Sequence, residues 1–342
     1  MARGIRPTLI LTGQHPALNP ASYGLDDCPL LRLNCAGLPD PHQHVREVTA
    51  AILQGLTALP DMLVVQGDTS SALGGALAGF AAGVPVAHIE AGLRSHDPAM
   101  PWPEEEFRIA IDAQADLLFA PTELAAANLR REHVSGEISV TGNTGIDALL
   151  KTLESVKLPN RRRSAVPQVL VTCHRRESWG SGLGSVAEAI CQLAAAEVAE
   201  FTVLLHPNRF VSDSMQTELR RRRGIRLEPQ CGYRELLLLM HRSDLILSDS
   251  GGIQEEAPAM GIPLLVLRDK TERPEGITTG NLKLVGTRTD AIVEATTQLL
   301  GDPAALGAMS RVALPYGDGH AAPRIAASIE RWLHSRPSAA RA

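Results

Sequence analysis

The chain has no apolar run approaching the roughly 18 residues that suggest a membrane span. Its opening residues, Met-Ala-Arg-Gly-Ile-Arg-Pro, lack the apolar centre of a signal peptide. Cysteine is sparse: five residues, an odd number with no CxxC pair, which argues against a disulfide frame or zinc site and for reduced thiols. There is no basic surplus either. A formal net charge of -5 gives no support to nucleic-acid binding, and the dense basic runs Arg161–Arg163 and Arg220–Arg223 read as solvated charge beside helix ends. A cytosolic protein with no membrane and no nucleic-acid partner is expected. What is present is ordinary globular composition, 342 residues with 44% hydrophobic and 21% charged, sufficient for two domains with real cores.

Short apolar runs alternate with longer amphipathic ones. Thr8–Leu11, Met62–Val65, Pro85–Ile89, Leu117–Phe119 and Ile138–Val140 read as buried strands, as do Val169–Thr172, Thr202–Leu205, Leu245–Leu247 and Pro263–Leu267. His44–Leu59, Ser70–Ala82, Glu104–Gln114, Val186–Ala199 and Tyr233–His241 read as helices. Near-continuous apolar strands separated by helices predict parallel sheets covered on both faces. The pattern lapses into a charged, Pro-containing connection over residues 151–167, so two Rossmann-like α/β domains are expected, 1–156 and 157–342. Ligands of such folds sit at the carboxyl ends of strands, where the sharpest motifs fall.

Gln66-Gly67-Asp68-Thr69-Ser70 directly follows a strand. Asp68 stands where a doubly wound sheet exposes functional groups, and Thr69 or Ser70 can cap the next helix; the competing reading makes Asp68 itself the cap. His88-Ile89-Glu90-Ala91-Gly92-Leu93-Arg94 closes another strand. There Glu90 lies beside Ala-Gly, where a backbone can approach a ligand closely, or else it is a surface carboxylate paired with Arg94. In Pro101-Trp102-Pro103-Glu104-Glu105-Glu106 the prolines set a helix entry. The acids occupy its first turn, where the macrodipole alone would favour them. Together Asp68, Glu90 and Glu104 come from neighbouring strand ends or helix starts. Converging carboxylates suit acid–base chemistry on a carbon flanked by oxygens.

In the second half, His174 beside Arg175 and Arg176 at a strand end suggests a polyanion nearby, against helix-cap charges. The most specific stretch runs from Ser248 to Pro258. Strand, then Ser250-Gly251-Gly252, then helix aims free backbone amides at phosphate. A carboxylate one turn later would repel that phosphate, and a ribose diol is its natural partner, so the stretch reads as a nucleotide-sugar site. Arg268–Glu275 and Pro315–Gly319 read as polar, charge-balanced surface loops.

The stretches GDT, HIEAGLRS, PWPEE, TGNTGIDALL, HRRES, SDSGGIQEEAP, RDKTERPE and PYGDG are collinear. In order and spacing they resemble the non-hydrolysing UDP-N-acetylglucosamine 2-epimerase family, from about Thr12 to the C-terminal helix. The resemblance implies two Rossmann-like domains in the glycosyltransferase-B arrangement, the last helix packing back on the N-terminal domain. It further implies a homodimer, UDP-sugar in the cleft, and neither metal nor nicotinamide cofactor. The implied reaction is anti elimination of UDP across C1–C2, through a 2-acetamidoglucal, followed by re-addition, in the service of surface-polysaccharide synthesis. By family position Asp68, Glu90 and Glu104 are the acid–base and oxocarbenium-stabilising carboxylates, and His174 meets the diphosphate. Ser250, Gly251 and Gly252 would bind phosphate and Glu256 the ribose. Gln14, His15, Arg175 and His206 fall on positions of a second, activating UDP-GlcNAc site, although Ala17 and Asn19 occupy the region where the family often has a second Gln.

Members of that family begin with a strand ending in a GTRPE-like loop, then a helix, before the strand that holds the Gln-His pair. Here Gly4-Ile5-Arg6-Pro7 echoes the loop but runs straight into the Gln14-His15 strand. The N-terminal sheet is therefore expected to lack its first, central strand, with Arg6 standing in for the loop arginine on the diphosphate and with weakened activity or stability. Three other readings stay open. One is the same chemistry on a modified UDP-sugar such as a 2,3-diacetamido uronate. Another is a glycosyltransferase of the same fold, against which the three carboxylates count. The third is an inactive UDP-sugar binder.

Overall fold

The computed structural model describes residues 4–15, 18–25, 27–156, 158–159, 164–173, 181–206 and 209–335. Among these, every strand pairing is parallel. The chain divides into two units, one spanning Met1–Asn143 with His320–Ala342 and the other Thr144–Gly319.

The first unit runs β1 (Leu9–Leu11), β2 (Leu30–Arg32), α1 (Pro41–Gly55), β3 (Leu63–Gln66), α2 (Ser70–Ala82) and β4 (Val86–Ile89). It continues with α3 (Glu104–Asp112), β5 (Leu117–Ala120), α4 (Glu123–Arg131) and β6 (Glu137–Val140). Its sheet is divided. β3-β4-β5-β6 form one ladder, while β1 bonds only to β2 among the described residues. Strand β3 alternates buried and exposed and leaves Val64 48% exposed, whereas β5 is buried along its whole length. Helix α1 starts at Pro41, three residues before its apolar periodicity, because the Asp40 side chain accepts the His42 amide at 2.9 Å and Pro41 suits the first turn.

The second unit holds α5 (Thr144–Ser155), β7 (Gln168–Thr172), α6 (Ser181–Ala195), β8 (Glu200–Leu204), α7 (Arg209–Leu219) and β9 (Ile225–Glu228). Then come α8 (Tyr233–Arg242), β10 (Leu245–Ser248), α9 (Gly251–Ala259), β11 (Leu264–Val266), α10 (Glu275–Thr278), β12 (Leu282–Leu284), α11 (Thr289–Gly301) and α12 (Pro303–Met309). Its six strands are ordered β12-β11-β10-β7-β8-β9, with apolar cores on both faces. The last helix, α13 (Ala321–Ser335), belongs to the first unit, where Ile325, Ile329 and Trp332 pack on Ala87, Leu117 and Phe119. Among the described residues all five cysteines are free and no cluster of potential metal ligands forms. No described helix is long and apolar enough to cross a membrane.

Candidate active site

β3 and β4 lie side by side with Gln66 opposite Ile89, so the motifs that follow them emerge together. Gly67 turns the chain at φ +68. The Glu90 side chain is its neighbour: Oε2 stands 3.9 Å from where a Gly67 Cβ would be, an ordinary contact. Glu90 itself has φ +71, a left-handed conformation that costs a non-glycine residue about 1–3 kcal/mol and is tolerated where the surroundings impose it. Thr69, not Asp68, caps α2, accepting the Ala72 amide at 3.1 Å. The Asp68 carboxylate is thereby free of the capping role.

Asp68 is held from the side by α3. Arg108 Nε and Nη2 donate to Asp68 Oδ2 at 3.0 and 2.6 Å, and Nη1 donates to Glu105 Oε2 at 2.8 Å. Glu105 in turn accepts the amides of Ser95 and His96 at 2.9–3.1 Å, which fixes the loop after Arg94. Glu104 begins the same helix, one turn before Arg108 and on the same side of it. Asp68, Glu90 and Glu104 thus lie on adjoining elements tied to one another by buried charge.

From the sequence alone the residues of that frame have no assigned role, although Glu105 lies within PWPEE. Arg108 and Glu105 are each 1% exposed and Asp112 is fully buried, although on a helix such residues usually face water. The signal was their spacing: 105, 108 and 112 recur at helical intervals on the inward side. Arg94 belongs to the frame as well, donating to Asp112 Oδ2 at 2.8 Å and twice to Glu132 at 2.8 and 2.7 Å.

In the second unit β10 delivers Ser250, Gly251 and Gly252 to the start of α9. The Ser250 side chain makes no cap bond to that helix, and its own amide is satisfied by Ser248 Oγ at 3.0 Å. Ser248 is anchored in turn to Thr172 Oγ1 at 2.6 Å. Glu256, one turn on, accepts the Tyr233 hydroxyl at 2.7 Å. Burial pushes its carboxyl up to about 7, against the pull of that hydrogen bond. The stretches expected as surface loops are interior in part, with Asp269, Lys270 and Asp318 exposed. Arg268, Glu272 and Arg273 are buried, and Tyr316 is fully so. Arg273 pairs with Glu255 at 2.6 Å and with Glu272, which also takes Arg268 at 3.0 Å. Tyr316 donates to the Arg273 carbonyl at 2.7 Å. Charge balance in a loop is equally compatible with water and with internal pairing, which is why the sequence misled here.

A family model described as UDP-N-acetylglucosamine 2-epimerase matches residues 2–330. UDP-N-acetylglucosamine 2-epimerase of Escherichia coli K12 is 41% identical over 308 residues, 85% of this chain and 82% of that protein. The enzyme of the same name from Neisseria meningitidis serogroup A is 40% identical over 314 residues, covering 86% and 83%. A crystal structure of UDP-GlcNAc 2-epimerase from Neisseria meningitidis bound to UDP-GlcNAc matches with a TM-score of 0.88 at 35% identity, over 95% of this chain and 91% of that one. The Methanocaldococcus jannaschii enzyme in complex with UDP-GlcNAc and UDP gives 0.82 at 32%, over 95% and 91%. The chain belongs to the UDP-N-acetylglucosamine 2-epimerase family.

The remaining positions that the epimerase resemblance singles out are distributed over both units. In the first, Arg6 is exposed just ahead of β1, and His15 is exposed beyond it. Gln14 is half-buried, its Oε1 accepting from Ser71 Oγ at 2.6 Å, and Ser71 also meets Thr12 Oγ1 at 2.7 Å. In the second unit His206 is half-buried after β8. His174 and Arg175 lie outside the described residues.

Proposed function

We propose that this chain interconverts UDP-GlcNAc and UDP-ManNAc without net hydrolysis. One carboxylate removes the C2 proton, and the electrons of the C2–H bond form the C1=C2 double bond. The C1–O bond breaks with its electron pair leaving on UDP, which gives 2-acetamidoglucal and UDP. A proton then returns to the opposite face of C2, and a UDP oxygen attacks C1. Inversion needs proton-handling groups on both faces of the ring, so a lone base would not suffice. Asp68, Glu90 and Glu104 take those roles and steady positive charge on the ring. His174 meets the departing diphosphate, Ser250, Gly251 and Gly252 bind phosphate, Glu256 binds the ribose and Arg6 supports the diphosphate. In this reading the enzyme is a cytosolic homodimer supplying surface-polysaccharide synthesis. A second UDP-GlcNAc activates it through Gln14, His15, Arg175 and His206.

The observation that supports the reading is that Asp68 and Glu90 follow adjacent parallel strands, while Arg108 ties Asp68 to the helix that Glu104 opens. A transferase of the same fold needs an acceptor site rather than acids around the donor sugar. The test is incubation with UDP-GlcNAc in deuterated water. Deuterium at C2 together with a UDP-ManNAc signal is expected; absence of exchange would refute epimerisation and favour a transferase or a binder.

A further inference from the structure

His88, on β4 two residues before Glu90, and Asp112, at the end of α3, are both fully buried. Neither has a part in the proton transfers above. His88 Nδ1 lies 2.6 Å from Asp112 Oδ1, and Nε2 lies 2.9 Å from the Gly67 carbonyl oxygen. Asp112 Oδ2 takes the Gly92 amide at 3.0 Å and Arg94 Nη2 at 2.8 Å. Burial works against charge on Asp112, but His88 and Arg94 outweigh it and hold the carboxyl below its ordinary value. A carbonyl oxygen can only accept, so His88 donates from Nε2 to Gly67, while its Nδ1 faces the Asp112 carboxyl.

Such a buried chain of charges is weak as a source of stability compared with apolar packing. What it supplies is direction. The Gly67 amide donates to the Ile89 carbonyl at 3.0 Å and the Gly67 carbonyl accepts from His88, so β4 grips Gly67 at both ends. The Gly67–Asp68 peptide plane is then set by His88, and the turn after Glu90 is set by the Gly92 amide on Asp112. Asn128 completes that turn by donating to the Gly92 carbonyl at 3.0 Å.

We propose that the His88–Asp112 pair is the positioning device of the epimerisation site, fixing through Gly67 and Gly92 the backbone from which Asp68 and Glu90 project. This inference rests on reading those two carboxylates as acid–base groups. Displacement of a reacting group by about 1 Å costs on the order of 100-fold in rate, so loss of the grip falls on turnover rather than on binding.

Two variants separate positioning from support. In His88→Asn the amide nitrogen stands near the place of Nδ1 and reaches Asp112 but not Gly67. In His88→Gln it stands near the place of Nε2 and retains the Gly67 bond. With the full chain and UDP-GlcNAc in deuterated water, His88→Asn is expected to lower kcat and C2 exchange together by about 10–100-fold, with KM little changed. His88→Gln is expected to recover most of both. UDP binding, assigned to the second unit, serves as the folding control. Equal kcat losses in the two variants, or a loss confined to KM, would overturn positioning. A parent protein that exchanges no deuterium would instead overturn the functional reading beneath it. A measurement independent of the variants is nitrogen-15 NMR of the parent. A proton on His88 Nε2, the nitrogen at the Gly67 carbonyl, is expected, and an unprotonated Nε2 would sink the proposal.

Discussion

Replacing Arg108 with methionine tests whether the frame around the carboxylates is held by charge. The substitution preserves much of the aliphatic stem and removes the hydrogen bonds to Asp68, to Glu105 and to the Leu93 carbonyl. Truncating one member of a buried ion pair costs about 3–5 kcal/mol, mainly because the other charge stays buried. The two partners differ. Asp68 has 22% of its side chain open to water and can rehydrate, while Glu105 has 1%. Glu105 therefore dominates the loss. The amides of Ser95 and His96 still reach it, which places the expected cost near 3 kcal/mol, at the lower end of that range. The double variant Arg108→Met/Glu105→Gln removes the orphaned charge and should recover about 1–2 kcal/mol, a coupling typical of residues in one network. Native-state hydrogen exchange on the full chain, read at β4 and β5, reports the first unit specifically. A single-variant loss below about 1 kcal/mol, with the double variant simply additive, would show that the backbone amides alone carry Glu105 and would refute the argument.

Glu256 gives a pH prediction. Its carboxyl is raised from the ordinary 4.5 to about 7, so the folded protein favours the neutral form. Its contribution to stability is present at acid pH and is lost as pH rises from about 4.5 through about 7. The ribose contact proposed for Glu256 has the hydroxyls donating to its carboxylate, so on that reading UDP affinity should strengthen as pH rises through about 7 and then level off. Glu256→Gln should remove that component, and calorimetric titration of both proteins across the range checks it; identical profiles would exclude the ribose contact. Gly92→Ala meets two obstacles, a φ of +81 and a Cβ placed 2.3 Å from the Ala125 carbonyl oxygen. Left-handed strain and overpacking together are expected to cost about 3 kcal/mol. Exchange protection should fall in β4 and β5 while β7 and β10 keep theirs; unchanged protection in β4 would contradict the close approach.

Much of the fold was legible because parallel strands buried on both faces leave continuous apolar runs. The run that predicts Val169–Thr172 becomes β7, and Leu245–Leu247 becomes β10, both central in the six-stranded sheet. The strands that escaped notice are β2, β9 and β12. β9 and β12 are the two edges of that sheet, and β2 is half of a two-stranded pair. With solvent on one side, Ile225-Arg226-Leu227-Glu228 and Leu282-Lys283-Leu284 alternate apolar with charged residues and carry too short an apolar signal to stand out. The motifs at strand ends were legible for a related reason. A Gly beside an acid after an apolar run has few purely structural explanations, and Thr69 removed the one offered for Asp68. The supporting residues were illegible because nothing local distinguishes a buried Arg108 from a solvated one.

The three glutamates that open α3 show where local reasoning reaches its limit and what helix geometry adds. The macrodipole favours acid in a first turn and treats Glu104, Glu105 and Glu106 alike. Successive residues, however, point about 100° apart around the axis, so three identical side chains meet three environments. Glu106 is on the outside, with 52% of its side chain exposed and His42 at 3.6 Å. Glu105 is turned fully inward, where Arg108 and two loop amides balance its charge. Glu104 lies between these extremes, half-buried and one turn from the arginine that holds Asp68. Only an intermediate position combines contact with a ligand and support from the interior. If this geometry governs function, conversion to glutamine should be tolerated at Glu106, should destabilise at Glu105, and should abolish C2 deuterium exchange without unfolding at Glu104.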